Sequence, residues 1–142
     1  MNIFAVHPDP RVSAQMLCDK HVVKMPLESA QMLCTALDRH GVQLPYIADG
    51  GWAYRPCYQK HPCTLWAGDT RANYKWLTHH ALEMCEEYTR RYSKRGKWQS
   101  VIERAAEMAD LIPDGRLTTH ATAMPEEAKD SRCPHRSYRS YY

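Results

Sequence analysis

Between Asp69 and Gly96 apolar side chains return at helical spacing: Leu77, Ala81, Met84 or Cys85, Tyr88 and Tyr92. A stripe of that kind predicts a helix running to about Ser93, capped by Asp69 or Thr70 and stopped by Gly96. Its apolar face must be covered by other elements, so the helix cannot stand alone. A second long helix is predicted from about 10 to 39. Asp9-Pro10 supplies a cap and a first-position proline, and Ala14, Leu17, Val22, Met25, Leu33 and Leu37 supply the apolar positions before Gly41 ends it. Pro26 either kinks this helix or splits it, with a new helix starting near residue 26. Val101, Ala105, Met108 and Ile112 share one face of a helix over about 98–111, closed by Pro113, and a short helix is expected near 125–129.

Residues 1–9 read as an extended arm. Residues 41–63, punctuated by Gly41, Pro45, Gly50-Gly51, Pro56 and Pro62, read as a loop whose tyrosines and Trp52 pack on something. Loops this long are often functional. Strict period-two alternation is scarce. The expected fold is all-α: a compact single-domain helical bundle with a long loop between the first and second long helices. A chain of 142 residues suits one domain with a modest core.

Several function classes are disfavoured by composition. No apolar run approaches the ~20 residues of a membrane span, and the N-terminus lacks a signal-peptide pattern, so an intracellular protein without a membrane partner is expected. The six cysteines, at 18, 34, 57, 63, 85 and 133, form no C-x-x-C pair. They read as reduced, mostly buried thiols, with Cys18 and Cys34 on apolar helical positions. Net charge is only +3, but cations and aromatics interleave twice, from Tyr88 to Trp98 and from Arg132 to Tyr142. Cations meet phosphates and aromatic faces stack on bases, so the two clusters favour a polyanionic partner over a solvated helix end and a frayed tail.

Two constellations carry candidate chemistry. In Cys18-Asp19-Lys20-His21-Val22-Val23-Lys24-Met25-Pro26-Leu27-Glu28, His21 and Glu28 lie seven residues apart, about two turns, on one helix face. Lys24 lies between them and Lys20 just before His21, the two lysines four residues apart. Glu28 reads either as an acid/base or as a surface partner of Lys24. His21 orients a phosphate or the acid, or simply packs. Lys20 and Lys24 read as phosphate contacts or solvated cations. The second constellation, Tyr58-Gln59-Lys60-His61-Pro62-Cys63-Thr64-Leu65-Trp66 with Arg71, Asn73, Tyr74 and Trp76, sets His61 beside a helix start, where free N–H groups attract anions. His61, Arg71, Asn73 and Tyr74 are candidates to hold a nucleotide or an extruded base. Trp66, Tyr74 and Trp76 also fit a core. His79, His80 and Glu83 lack a third ligand at metal-site spacing, so no metal is expected, and no cofactor.

The first constellation resembles the bacteriophage pyrimidine-dimer DNA glycosylase family of the endonuclease V type, in which an Asp-Gln-His segment is followed, seven residues after the His, by a catalytic Glu. Asp19, His21 and Glu28 match, and Lys20 replaces the Gln. Leu27 stands where the family has Arg. Tyr138, Arg139, Tyr141 and Tyr142 look like the family's aromatic and basic C-terminal end. The chain is also similar to phage proteins carrying Asp-Lys-His-Val-Val-Lys-Met and Tyr-x-x-His-Pro-Cys-x-x-Trp. The resemblance implies a small all-helical enzyme that acts on double-stranded DNA with an extruded base. It implies N-glycosylase and possible AP-lyase activity on damaged pyrimidines, with Glu28 as acid/base and an N-terminal amine as nucleophile. Asn2 usually leaves the initiator in place, so that amine belongs to Met1. Arg136, Tyr138 and Arg139 join the DNA contacts on the same grounds. Two other readings stand beside it: an enzyme that modifies a base or nucleotide, and a non-catalytic nucleic-acid-binding module.

Overall fold

The computed structural model describes residues 1–124, 128–129 and 133–142. Among them are six α-helices and no strand: α1 (Pro10–Met16), α2 (Asp19–Arg39), α3 (Pro62–Asp69), α4 (Arg71–Tyr92), α5 (Gln99–Glu107) and α6 (Pro134–Tyr141). The all-α expectation holds. α2 packs against α3, α4 and α5, and α4 also receives α1, α3 and α5, so these two long helices frame the core. Val22, Met25, Met32, Leu33, Leu37, Leu77, Ala81, Met84 and Cys85 are buried along their facing sides. No helix among the described residues is long and apolar enough to cross a membrane.

The predicted helix over 10–39 is two helices, and the break is not at Pro26. Leu17 and Cys18 are both extended, with ψ of 145° and 163°. Asp9 caps α1, its carboxylate accepting from Arg11 N at 2.8 Å. At the other end Arg91 of α4 donates to Leu17 O at 2.9 Å and Gln15 O at 3.3 Å, satisfying carbonyls that α1 leaves free. The same guanidinium meets Asp19 Oδ1 at 3.1 Å as α2 begins. A side chain on another helix thus supports the corner. Pro26 lies buried inside α2, whose other turns and packing carry the helix past the missing N–H.

The loop expected over 41–63 ends in an unpredicted helix, α3, with Pro62 at its first turn and His61 as its cap. Before it, the chain folds on itself: Pro45 O accepts from Trp52 N and Ala53 N, both at 2.9 Å. A Cβ on Gly51 would lie 2.1 Å from Pro45 O, so only glycine fits this return. α4 begins and ends as predicted, with Thr70 Oγ1 accepting from Asn73 N at 3.1 Å and Ser93 left-handed at φ 56°. The segment 113–124 crosses the start of α4, where Pro113 O and Gly115 O accept from Arg71 N and Ala72 N at 2.8 and 3.4 Å. α5 stops at Glu107 and a 3₁₀ turn, Ala109–Leu111, carries the chain to buried Ile112. The C-terminal run is a helix, α6, with Tyr138 fully buried. Pro125, Glu126 and Glu127, where a short helix was expected, lie outside the described residues.

All six cysteines are free thiols. Cys34, Cys63 and Cys85 are buried, but Cys18 is exposed at the cap of α2, contrary to its reading as an apolar helical position, because the chain there is extended.

Candidate active site

The N-terminal arm is extended but not loose. Ile3, Ala5 and Val6 are buried at 1% exposure or less, and Asn2 folds the first residues into a tight turn. Its Oδ1 accepts from Ile3 N at 2.7 Å and Phe4 N at 3.0 Å, and its Nδ2 donates to Ala123 O at 3.0 Å. Phe4 follows with φ 53°. Ser13 of α1 holds the next stretch, accepting from Val6 N at 3.1 Å. This folding delivers the Met1 α-amine to 3.2 Å from Glu28 Oε1. The Met1 side chain is 1% exposed and its Sδ accepts from Thr64 Oγ1 of α3 at 3.4 Å. Glu28 is therefore the partner of the chain terminus, not the surface partner of Lys24 considered above. Its side chain is 11% exposed.

The amine and carboxylate open on a cavity of about 260 Å³ lined by Met1, Lys24, Leu27, Glu28, Gln31 and Tyr58. Lys24, Glu28 and Gln31 follow one another at four and three residues along α2, so one helix face presents them together. Thr35, four residues further on that face, lines a larger cavity of about 480 Å³ with Asp38, Arg39, Gln59 and Thr64. His61 stands near the amine. Its Nδ1 accepts from Cys63 N at 3.1 Å, so the neutral ring carries its proton on Nε2. Burial lowers its pKa, and the nearby terminal ammonium lowers it further while Glu28 opposes. His61 is thus held neutral, with a donor available beside the amine. At the adjoining helix starts His61 takes the Cys63 N–H, and Pro113 O and Gly115 O take those of Arg71 and Ala72, so these three groups are already bonded within the fold.

His21 shares the α2 face with Glu28 but faces a different group. Its ring stacks on Phe4, centroids 4.1 Å apart at 16°, and its Nδ1 lies 3.1 Å from Tyr142 Oη. Burial, then Lys20, lowers its pKa. Phe4, Cys18, His21, Tyr141 and Tyr142 line a further cavity of about 370 Å³. Tyr142 also accepts from Cys18 N, and its bond to the Cys18 thiol is the main cause of that thiol's lowered pKa. Lys20 and Lys24 are both exposed.

The remaining candidates are bonded inside the fold. Asn73 is fully buried; its Nδ2 donates to Trp66 O at 2.9 Å and Thr118 Oγ1 at 2.7 Å, and its Oδ1 accepts from Thr118 N at 2.9 Å. Tyr74 Oη donates to Ala105 O at 2.6 Å. Arg71 donates to Ile112 O and Asp110 O at 3.3 and 3.2 Å. Tyr138 Oη donates to Ala121 O, and Arg139 to Val6 O at 2.9 Å. Arg136 is exposed on α6. In the central basic cluster, Arg90 and Arg91 pair with buried Glu87 and Arg95 with Glu103. His79 meets Glu83 at 3.6 Å, and no three potential ligands converge on a metal position among the described residues.

Sequence reasoning passed over Gln31 and Asn2 as site groups, and it placed Tyr58 with His61 rather than beside Glu28. Gln31 had a usable signal, lying one turn beyond Glu28 on the same face. The roles of Asn2 and Tyr58 depend on backbone turns that spacing does not reveal. No curated protein and no solved structure matches the chain. The family model for pyrimidine dimer DNA glycosylases matches residues 1–100, which contain α1 to α4 and every residue lining the amine cavity, and the chain, a DNA glycosylase, belongs to that family.

Proposed function

We propose that the chain excises damaged pyrimidines from double-stranded DNA by covalent catalysis, with the Met1 α-amine as nucleophile and Glu28 as the acid/base. The observation that carries this reading is the 3.2 Å approach of the amine to Glu28 Oε1 at the wall of a cavity. An α-amine is less basic than a lysine amine, so a larger share is neutral and nucleophilic at cellular pH. An amine in a rigid cavity reaches C1′ of a nucleotide that has left the base stack.

The amine nitrogen forms a bond to C1′ as the C1′–base bond breaks. The bonding pair leaves with the base, which takes up a proton from water. One amine proton passes to Glu28, which returns it to O4′ as the C1′–O4′ bond opens, leaving a protonated imine between Met1 and the sugar. Loss of a C2′ proton then expels the 3′-phosphate, the lyase step; hydrolysis of the imine regenerates the amine. The carboxylate also stabilises the positive charge that develops at C1′. His61 Nε2 donates toward oxygen atoms of the bound nucleotide. Lys20, Lys24 and Arg136 neutralise phosphates, and His21 supports the aromatic surface beside the site.

Borohydride reduction on duplex DNA with one abasic site, read by intact mass and peptide mapping, tests this. The expected result is one adduct, on the Met1 amine, abolished by N-terminal acetylation. DNA binding without an adduct overturns it.

A further inference from the structure

Tyr58 is an unusual residue for its position. It is 63% exposed, the most exposed large apolar side chain described, and it stands at the rim of the amine cavity beside Met1 and Glu28. Its φ is 49°, a left-handed conformation that suits Gly, Asn or Asp and disfavours an aromatic residue. The backbone beneath it is anchored. Thr35 Oγ1 of α2 meets Cys57 N at 3.2 Å and Cys57 O at 3.3 Å, and His61 N donates to Tyr58 O at 3.0 Å. His61 in turn caps α3. A rigid, doubly tethered turn thus holds an aromatic ring out in solvent, in a conformation its residue type disfavours, with no core packing to account for the choice. Strain retained beside a site marks a functional constraint. Gln59 and Lys60, exposed on the same turn, give it a polar and cationic flank suited to a phosphate backbone.

We infer that Tyr58 is the wedge of this glycosylase: its ring enters the duplex beside the extruded nucleotide and stacks on the neighbouring base. This rests on the proposed reaction at Met1, which needs C1′ out of the stack. Extrusion leaves a gap and costs the stacking on both sides of it. An aromatic face at the rim replaces one of those contacts, and the rigid turn means that no ordering is required on binding. The ring accepts any neighbouring base, because every base has a π face. Tyr58 therefore contributes to opening the duplex without choosing its sequence.

The test replaces Tyr58 by Asn, which removes the ring and suits the left-handed turn, and by Phe and Trp, which keep a ring. Single-turnover trapping is measured on one pyrimidine dimer in duplex DNA, where the damaged bases are stacked, and on one abasic site in a single strand. Tyr58→Asn is expected to slow trapping on the duplex roughly ten- to hundredfold, the scale of one lost base–aromatic stack. It should leave the single strand within about twofold, since no stack need be opened there. Tyr58→Phe and Tyr58→Trp should retain duplex activity. Equal losses on both substrates, or no loss on the duplex, overturn the wedge. If wild type forms no adduct even with the single strand, the amine mechanism fails by itself. The wedge is then decided by 2-aminopurine placed next to the pyrimidine dimer in the duplex. Wild type should quench it on binding and Tyr58→Asn should leave it bright; equal fluorescence in the two complexes refutes insertion.

Discussion

Acidification should unfold this protein early, and the reason is a pair of buried histidines. His80 of α4 is fully buried and His120, in the segment 113–124, is 5% exposed. None of their four ring nitrogens has a hydrogen-bond partner among the described residues. They sit in an aromatic stack: His80 on Trp76 at 4.9 Å, His120 on Trp66 at 4.3 Å and edge-on to Trp76 at 4.4 Å, with His135 beside His120 at 4.9 Å. Desolvation holds both pKa values down to about 3, and neighbouring imidazoles add to it: His120 and His79 for His80, His135 for His120. In the unfolded chain each returns to about 6.5 and binds a proton that the folded protein refuses. Stability is therefore fully present above about pH 6.5 and falls as the pH drops from there toward 3. Each ring costs about 2 kcal/mol by pH 5, so the pair costs about 4 kcal/mol, out of a typical total of about 5–15 kcal/mol. Urea titrations at pH 7.5 and pH 5 should show that loss, and the melting temperature should fall by on the order of 10–15 °C. The double variant His80→Phe, His120→Phe keeps both rings and removes the nitrogens. It should be at least as stable as wild type at pH 7.5 and lose only a minor part of that stability at pH 5. A wild-type loss under about 1 kcal/mol, or the same loss in the double variant, refutes the argument.

Other consequences are equally concrete. Glu28→Gln removes the carboxylate beside the amine, and single-turnover base release should fall at least a hundredfold, roughly the contribution of a placed acid/base, while Kd for duplex DNA changes little; unchanged turnover would remove Glu28 from the mechanism. Asn2→Leu breaks the turn that aims the amine but should keep Met1 in place, as intact mass will verify. Adduct formation should slow about tenfold or more while melting temperature shifts by only a few degrees, and Asn2→Asp, which retains the acceptor, should recover part of it. Asn73→Ala removes three hydrogen bonds of a fully buried side chain, one to Trp66 O and two to Thr118, costing about 3 kcal/mol in denaturant titration. If it weakens DNA binding at unchanged stability, Asn73 is a ligand contact after all.

Much of the fold was legible because its signals are local. The Thr70 cap, the α4 stripe and the Asp9-Pro10 start each depend on residues within a turn or two of one another, and each was found where expected. The break at Leu17–Cys18 was not legible, because Arg91, seventy-four positions away from Leu17, satisfies the carbonyls there. α3 was missed because an eight-residue helix is too short to show a period. The same division runs through the site. His21 and Glu28 were picked out by helical spacing, and Lys24 with them. His61 and Asn73 drew attention as polar groups amid aromatics, and polar groups in such places find partners within the protein as readily as outside it. Which of the two applies is a question of tertiary neighbours.

By itself the sequence determined an all-helical chain and the helix face that carries His21, Lys24 and Glu28, because periodicity and capping act over a few residues. Only the tertiary structure decided that Glu28 faces the Met1 amine, twenty-seven residues earlier in the chain, because that meeting depends on Asn2 folding the arm and on Ala123, from the far end of the chain, holding Asn2. Likewise only the packed fold could turn two ordinary histidines into buried neutral rings, since desolvation belongs to the surroundings of a group and not to its place in the sequence.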